Sequence, residues 1–447
     1  MRKHAGLFCI LTLIAAALAC SITPTAAPIT PDPNQLATAV AATLTAMVPP
    51  AATDTIPGST PEDTPAPTGT ATQPPPICLP THPGAQNLPL PAGVAIGLDE
   101  NIALYNLQGT LLANRPVTGM TFMDSEHAHL AGSLGAGANA LPIMYFSLQD
   151  GGKLKQNINN VVIDLIPAQE LTYVIGAEAS PFFTYTAIDW DDQWTNDVYA
   201  GTSAGLTPRF TWTPPEEGHI GNAIRPLAVH TTGGVADGIW YTYTMQGIGN
   251  INYPPYNGLF YFNLSSGTTM EFLPPDNAIG GLSPDQTLVA YGPGQGGAPG
   301  VIFNSVTIRN LVTCQETVIP FNAASNLGGG WMVFSPDNQL VAWTEANGPS
   351  NMGADFRLRV ARTDGASLFD SPLANLGGFL GGEAPNSLTT VGWAANHILT
   401  MQAYLNIINQ YVVIIWAPDP ALPLDPVLGA NQSVPLADGE FIGLLYP

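Results

Sequence analysis

An acidic, aromatic segment at Asp189–Asp197 carries the residue types best suited to binding chemistry. Its carboxylates are Asp189, Asp191, Asp192 and Asp197, and its indoles are Trp190 and Trp194. Indole rings stack on sugar faces or on cations, and clustered carboxylates suit a hard cation such as Ca²⁺. The spacing matches no EF-hand loop, so the alternative is a solvated acidic turn that holds no ligand.

A second aromatic segment, Tyr253-Pro254-Pro255-Tyr256, offers Tyr253 and Tyr256 as further ligand-binding candidates. Paired carboxylates of the first segment would also suit a glycan-active hydrolase or lyase. These acids, however, are crowded on one loop, and no positively charged residue lies nearby in sequence to tune them. We therefore expect binding rather than catalysis, with no catalytic residue and no cofactor unless the first segment holds Ca²⁺.

Three other motif matches predict no catalytic, nucleotide-binding or metal site. The G-x-S-x-G match at 201–205 precedes a predicted strand, whereas a nucleophile elbow needs a following helix. The G-x-G-x-x-G match at 292–297 also precedes a strand, so no helix N-terminus is available for a pyrophosphate. His127 and His129 lie two apart, which puts both on one face of a strand. Without a third ligand nearby, they are expected to be structural histidines, and we expect no metal there.

The composition is typical of turn-rich β structure, with 46 Gly, 43 Pro and 10% charged residues in 447. The chain has 11 Lys and Arg against 33 Asp and Glu. Nucleic acid is therefore excluded as a partner, because its binding needs a basic surface that displaces phosphate counterions. We expect a monomer.

The N-terminus predicts export. Arg2 and Lys3 precede the apolar run Ala5–Ala19, which has the length of a secretory core and is short for a membrane span. The run ends in Ala17-Leu18-Ala19-Cys20, which resembles a bacterial lipobox and implies a lipid on Cys20. Residues 1–19 are then a signal peptide, and the protein is anchored to the outer side of a bacterial membrane. The alternative is ordinary signal cleavage and secretion.

Residues 20–77 are predicted to be a lipid-anchored disordered linker. About two-thirds of residues 21–77 are Thr, Pro or Ala, and none is Lys or Arg. Such a composition buries too little apolar area to offset chain entropy. From Cys78 onward, short β-branched and aromatic runs alternate with turn residues, so 78–447 is predicted to be an all-β domain.

A repeat within this region indicates its architecture. The segment Ser283-Pro284-Asp285, followed by Leu288–Tyr291, returns 52 positions later as Ser335-Pro336-Asp337, followed by Leu340–Trp343. Pro fits position i+1 of a tight turn and Asp closes an Asx turn, so each triplet reverses the chain between two strands. This pair of units resembles the repeat of TolB-type and WD-repeat-like β-propellers, although the Trp-Asp dipeptide is absent. The resemblance implies a single β-propeller and, by analogy of fold, protein binding. We expect a non-catalytic module that binds a protein, peptide or glycan.

Strand patterns fill in the remaining units, at about 50 residues each and four strands per unit. The C-terminal segment 439–446 is left over, and we expect it to supply the missing first strand of the first unit. The segment around 171–222 is the least regular, so six or eight units remain alternatives to seven. The predicted second strands are 94–98, 128–132, 182–186, 239–243, 288–292, 340–344 and 398–402.

This layout separates two faces of the domain. Loops between second and third strands, and connections between units, emerge on one face, named here the upper face; the other turns form the lower face. The Asp189–Asp197 segment and the Tyr253–Tyr256 segment map to the upper face, where we expect the ligand. Cys314 maps to a lower-face turn within reach of Cys78, which predicts a disulfide in an exported protein. The alternative is two unrelated thiols.

Overall fold

The computed structural model describes residues 78–120, 125, 127–147, 152–165, 171–178, 180–189, 194–214, 223–244, 256–294, 305–321, 327–347, 357–372, 387–405, 410–416 and 433–447. All of these residues belong to one compact part of the chain, Gln73–Pro447. The predicted signal peptide, the lipidation residue Cys20 and the linker all lie outside the described residues. No helix in the described ranges is both long and apolar enough to cross a membrane.

The described residues are almost entirely β-strand, as the sequence predicts, with one 3₁₀ turn at Leu134–Ala136. The strands form six antiparallel sheets. In the first half of the chain they are β1 (Gly93–Leu98), β2 (Asn101–Asn106), β3 (Leu111–Pro116), β4 (Ala128–Leu130), β5 (Ile143–Ser147), β6 (Lys153–Ile158), β7 (Val161–Asp164), β8 (Leu171–Gly176), β9 (Phe183–Asp189), β10 (Thr195–Thr202), β11 (Gly205–Trp212), β12 (Ala223–Thr232) and β13 (Val235–Thr244).

The second half of the chain continues the same pattern. Its strands are β14 (Tyr256–Asn263), β15 (Thr268–Leu282), β16 (Leu288–Pro293), β17 (Ser305–Asn310), β18 (Glu316–Pro320), β19 (Leu327–Phe334), β20 (Leu340–Asn347), β21 (Arg357–Arg362), β22 (Ser367–Pro372), β23 (Ser387–Ala395), β24 (Ile398–Leu405), β25 (Gln410–Trp416), β26 (Ser433–Asp438) and β27 (Glu440–Leu445). Five sheets have four strands and the sixth, β12 to β18, has seven.

The long strand β15 joins the two halves of the seven-stranded sheet. Its residues Thr268–Leu273 pair with β14, whereas Asn277–Leu282 pair mainly with β16. The seven-stranded sheet therefore consists of two four-stranded units that share β15. We number the units 1 to 7 along the chain, with β12–β15 as unit 4 and β15–β18 as unit 5.

The two ends of the all-β region pair with each other. Strand β27 adds to β1 in antiparallel register, with Val94 opposite Leu444 and Gly93 opposite Leu445. The backbone N–H of Phe441 also donates to Oε1 of Gln402 in unit 7, at 2.6 Å. The C-terminal strand thus supplies the first strand of unit 1, as the sequence predicts.

The repeated triplets form matching turns. The Ser283 hydroxyl donates to Asp285 at 2.7 Å and accepts from the Leu288 N–H at 2.8 Å. The Ser335 hydroxyl makes the equivalent bonds to Asp337 and Leu340 at 2.6 and 2.9 Å. Each turn closes through a residue in the left-handed region, Gln286 or Asn338. A type I turn followed by one left-handed residue is a common hairpin connection.

One expectation about strand order was wrong. The segment 128–132 was expected to be a second strand, but β4 is the first strand of unit 2, and β5 occupies the second position. Both positions are enclosed, so a short buried apolar run does not distinguish them from sequence. The segment around 171–222, the least regular in sequence, provides the four consecutive strands of unit 3, with β9 in the predicted second position.

Successive units pack face to face and bury the apolar side of their alternating strands. Leu358 and Phe369 of unit 6 share one core with Met401 and Trp416 of unit 7. A buried arginine joins units 1 and 2. Arg115 on β3 donates to Asn157 on β6 and to the carbonyls of Ala138 and Leu141, all at 2.6 to 3.1 Å.

Candidate functional site

A cavity of about 550 Å³ lies among the first strands of the units. Residues from the first strand of every unit line it, and an adjoining space of about 220 Å³ shares part of this lining. The lining residues on first strands are His129, Ile175, Gly176, Leu227–Val229, Leu282, Met332–Phe334, Val391–Trp393 and Leu444.

Neighbouring first strands contact one another closely. A Cβ on Gly281 of β15 would overlap the Met332 carbonyl of β19, and one on Gly176 of β8 would overlap the Leu130 carbonyl of β4. Glycine is required at both positions because only a residue without a side chain permits this approach.

Contacts connect every successive pair of units, and six of the seven pairs are joined by the polar contacts given next. They are the bonds Gly176 N to His129 Nδ1 at 3.0 Å, Gln286 Nε2 to Val229 O at 3.2 Å, Thr390 Oγ1 to Trp331 O at 2.5 Å, Phe441 N to Gln402 Oε1 at 2.6 Å and Leu134 N to Tyr446 O at 2.7 Å, and the contact of the Arg225 guanidinium with the Tyr173 ring at 5.1 Å. The remaining pair, units 5 and 6, meets where Gly281 abuts Met332.

One end of the cavity is lined by the segment 78–92, named here the strap. The Cys78–Cys314 disulfide fixes its start, with the two Cα atoms 5.4 Å apart, which confirms the predicted pairing. His82 stacks on Trp240 and donates to the Gln286 carbonyl at 2.7 Å. Burial lowers the pKa of His82, which favours its neutral ring.

Three hydrogen bonds of Gln86 hold the middle of the strap in place. Its side chain donates to the Thr231 hydroxyl at 2.5 Å and accepts from the Thr231 N–H at 2.8 Å, while its backbone N–H donates to the Asp285 carbonyl at 2.8 Å. The next residues, 87–89 and 91, line the cavity. Because Thr231 lies at the end of β12 and Asp285 lies in the turn between β15 and β16, both next to connections between first and second strands, the strap lies at the lower-face end.

Four polar side chains line the adjoining space of about 220 Å³. Glu178 follows β8, Tyr446 follows β27, His129 lies on β4 and Arg225 lies near the start of β12. The Tyr446 hydroxyl donates a hydrogen bond to the Glu178 carboxyl. A carboxyl group, a phenol, an imidazole and a guanidinium therefore surround one space.

Burial determines the protonation states of Glu178, His129 and Tyr446. It raises the pKa of Glu178 to about 7, and the hydrogen bond from Tyr446 limits the rise. Burial, helped by the positive charge of Arg225, lowers the pKa of His129 to about 4. Burial and the neighbouring Glu178 raise the pKa of Tyr446 well above its usual value. Near neutral pH the imidazole is uncharged, the phenol is protonated, and the carboxyl is close to its midpoint.

The Arg225 guanidinium contacts two aromatic rings. Its central carbon is 5.1 Å from the Tyr173 ring centroid and 4.7 Å from that of Tyr256. Tyr256, an expected ligand-binding residue, is 5% exposed and also packs edge-on against Trp331. Its ring therefore supports the arginine beside the cavity.

The described part of the Asp189–Asp197 segment is a β-hairpin end. Asp189 ends β9, Trp194 has a left-handed backbone and a 39% exposed side chain, and Asp197 lies on β10. The Asp197 carboxylate accepts from the Thr211 hydroxyl at 2.5 Å. No cluster of three metal-binding side chains occurs among the residues that the structure describes. Trp190, Asp191, Asp192 and Tyr253 lie outside them.

Sequence reasoning missed three of the four cavity residues. Glu178, Arg225 and Tyr446 are isolated polar residues beside apolar runs, and no spacing relates them. The available signal was positional, because each lies on or next to a strand that can be assigned as the first of its unit. His129 was noticed, but as one of a pair with His127, which instead stacks on Phe146.

No protein-family model and no curated protein matches this chain. It is similar to the structure of a putative TolB from Agrobacterium tumefaciens, with 12% identity, a TM-score of 0.34 and coverage of 62% of this chain and 89% of that one. An oligogalacturonate lyase in complex with manganese gives 10% identity, a TM-score of 0.43 and coverage of 75% and 83%. An oligogalacturonate lyase from Vibrio parahaemolyticus gives 9%, 0.44, 75% and 84%.

Fold and site together define the class: an all-β protein whose four-stranded units contribute their first strands to one cavity. The assignment of function rests on the geometry of that cavity.

Proposed function

We propose that residues 78–447 form a single seven-bladed, TolB-like β-propeller that serves as a non-catalytic binding module with its ligand in the central cavity. Each four-stranded unit is one blade, and the pairing of β27 with β1 closes the ring. The contacts between successive units, which run from unit 1 through unit 7 and back, support this closure. Closure removes exposed strand edges at the join.

We infer the binding function from the cavity that the first strands of all seven units line. A volume of about 550 Å³ falls in the range of small-molecule sites, and it combines apolar walls with a few converging polar groups. The strap lies at the lower-face end, so we infer that a protein, peptide or glycan ligand approaches from the upper face. The Asp189–Asp197 segment of that face would then form part of the rim.

We further infer that the module is exported and held outside the cell by a lipid on Cys20 and the linker 20–77. The apolar N-terminus and the small residues before Cys20 support export and anchoring. The Cys78–Cys314 disulfide is compatible with an oxidising compartment.

The test is a thermal-shift panel of peptides, oligosaccharides and Ca²⁺ on the purified protein, followed by mass spectrometry of each hit. A ligand that binds only the folded state raises Tm, and it should be recovered unchanged after prolonged incubation. Chemical conversion of the hit by the protein, and its loss in an Asp189→Asn, Asp197→Asn variant, would instead support the glycan-active enzyme.

A further inference from the structure

We propose that the central cavity recognises a primary ammonium group on an apolar body, and that the carboxylate of Glu178 binds this group. The inference rests on the proposed binding function and specifies the chemistry of its ligand. It follows from the charges that line the cavity, from the position of Glu178 in the lining, and from the apolar surface around it.

The larger cavity is lined by acidic groups. Glu178 and Asp285 supply its carboxyl groups, and none of the described residues that line it is Lys or Arg. The lining imidazole, His129, is uncharged near neutral pH because burial lowers its pKa to about 4. The chain as a whole has a formal net charge of −22, which attracts cations and repels anions. A cationic ligand therefore suits this space better than an anionic one.

Glu178 is the lining carboxyl group with acceptor sites left for a ligand. Both oxygens of Asp285 already accept hydrogen bonds within their own turn, from the Ser283 hydroxyl at 2.7 Å and from the Thr287 hydroxyl at 2.8 and 2.9 Å. Glu178 accepts from the Tyr446 hydroxyl, and a carboxylate offers about four acceptor sites on its two oxygens. An ammonium group in the cavity can donate to the remaining sites.

A bound ammonium group would neutralise an otherwise isolated buried carboxylate. Burial raises the pKa of Glu178 to about 7, and the Tyr446 hydroxyl limits the rise. The other titratable or charged groups around it are His129, Asp285 and, in the adjoining space, Arg225, whose charge helps to lower the pKa of His129. A buried charge is costly unless an opposite charge pairs with it, so an ammonium group favours the ionised form of Glu178 and displaces its proton.

The rest of the cavity suits an apolar body. Leu227, Leu282, Phe334, Val391 and Leu444 line it. Two sources share the required chemistry: a free arylalkylamine or alkylamine, and the N-terminal amino group of a peptide that begins with an apolar residue.

The experiment is isothermal titration calorimetry of the full-length protein with probes that match in shape but differ in charge. One pair is 4-phenylbutylamine and 4-phenylbutanol, and the other is Phe-Ala-amide with a free or an acetylated N-terminus. We expect the ammonium probe of at least one pair to bind about tenfold or more tightly than its neutral partner at pH 7, because charge-assisted hydrogen bonds are lost with the ammonium group. The pair that responds identifies the source.

The pH dependence provides a second readout. Affinity for the ammonium probe should rise about fivefold from pH 6 to pH 7 as Glu178 ionises with a pKa of about 7, because both kinds of amino group stay mostly protonated in this range. Binding at pH 6 should also release about one proton per ligand, which calorimetry in buffers of different ionisation enthalpy measures. Tyr446→Phe should move the rise to higher pH, because the hydroxyl that limits the pKa of Glu178 is lost.

Two matched variants test the role of the carboxylate. Glu178→Gln should abolish both the preference for the ammonium probe and its dependence on pH. Glu271→Gln, at an exposed position on β15, should leave both unchanged.

Equal affinity for the two members of each pair, or no binding by any probe, would overturn the inference. The comparison of probes on the unmodified protein decides this even when Glu178→Gln does not fold. If other ligands bind and Val391→Trp abolishes their binding, the central site stands and only the ammonium assignment fails. If Val391→Trp has no effect on them, the proposed function itself fails.

Discussion

Removing the Cys78–Cys314 disulfide should destabilise the folded region substantially. The bond links residues separated by 236 positions, so it strongly restricts the unfolded chain. The chain-entropy relation gives about 5 kcal/mol for a loop of this length. With an unfolding entropy of roughly 0.8 kcal/mol per degree for a region of this size, Tm should fall by about 6 °C.

Differential scanning calorimetry of the Cys78→Ser, Cys314→Ser variant measures this effect. Unmodified protein treated with dithiothreitol should have the same Tm as the variant, and the reductant should not change the Tm of the variant. Amide exchange adds a local readout: the Gln86 N–H, which donates to Asp285, should exchange faster once the start of the strap is released. A Tm unchanged within 1 °C, with Gln86 exchange also unchanged, would refute the role assigned to the disulfide.

Two further changes test the packing and the cavity. Arg115→Leu should lower the free energy of unfolding by about 3–5 kcal/mol, because the buried oxygens of Asn157, Ala138 and Leu141 lose their donor. Urea unfolding measures this loss. The control Arg362→Leu removes an exposed ion pair and should change the free energy of unfolding by about 0.5 kcal/mol or less. The pKa of Glu178 rises from 4.5 to about 7 on folding, so its contribution to stability is complete below pH 4.5 and is lost as pH rises to 7. Glu178→Gln should therefore make stability less sensitive to pH over this window, and an unchanged profile would contradict the assigned burial. His129 acts in the opposite direction, because its lowered pKa reduces stability as pH falls from 6.5 towards 4.

The fold was predictable where local chemistry determines the backbone. The two Ser-Pro-Asp triplets make their turns through bonds within six residues, so their geometry follows from sequence alone. The role of β27 followed from counting strands, since one strand was left over at one end and one was missing at the other. Cys78 and Cys314 could be paired only because that layout put both on one face.

The cavity residues could not be predicted in the same way. Glu178, Arg225 and Tyr446 are separated by 47 to 268 positions and meet only because the first strands of different units converge. Tyr256 was predicted to be an exposed ligand-binding residue, because it is an aromatic residue next to two prolines. In the structure it is buried beside Arg225, since strand β14 begins at that residue. The order of β4 and β5 was also hidden, because a three-residue buried strand has no period to distinguish its position.

The most direct test of the central claim is the affinity of a thermal-shift hit for Val391→Trp, compared with Val318→Trp as control. Val391 lines the cavity and its neighbours, whereas Val318 is 60% exposed on the outer strand β18. If the ligand occupies the central cavity, the larger ring at 391 should weaken binding by about tenfold or more, because the ring fills space that the ligand needs, while the change at 318 leaves the affinity unaltered. Equal affinity of both variants for the ligand, with both folded, would contradict the central site.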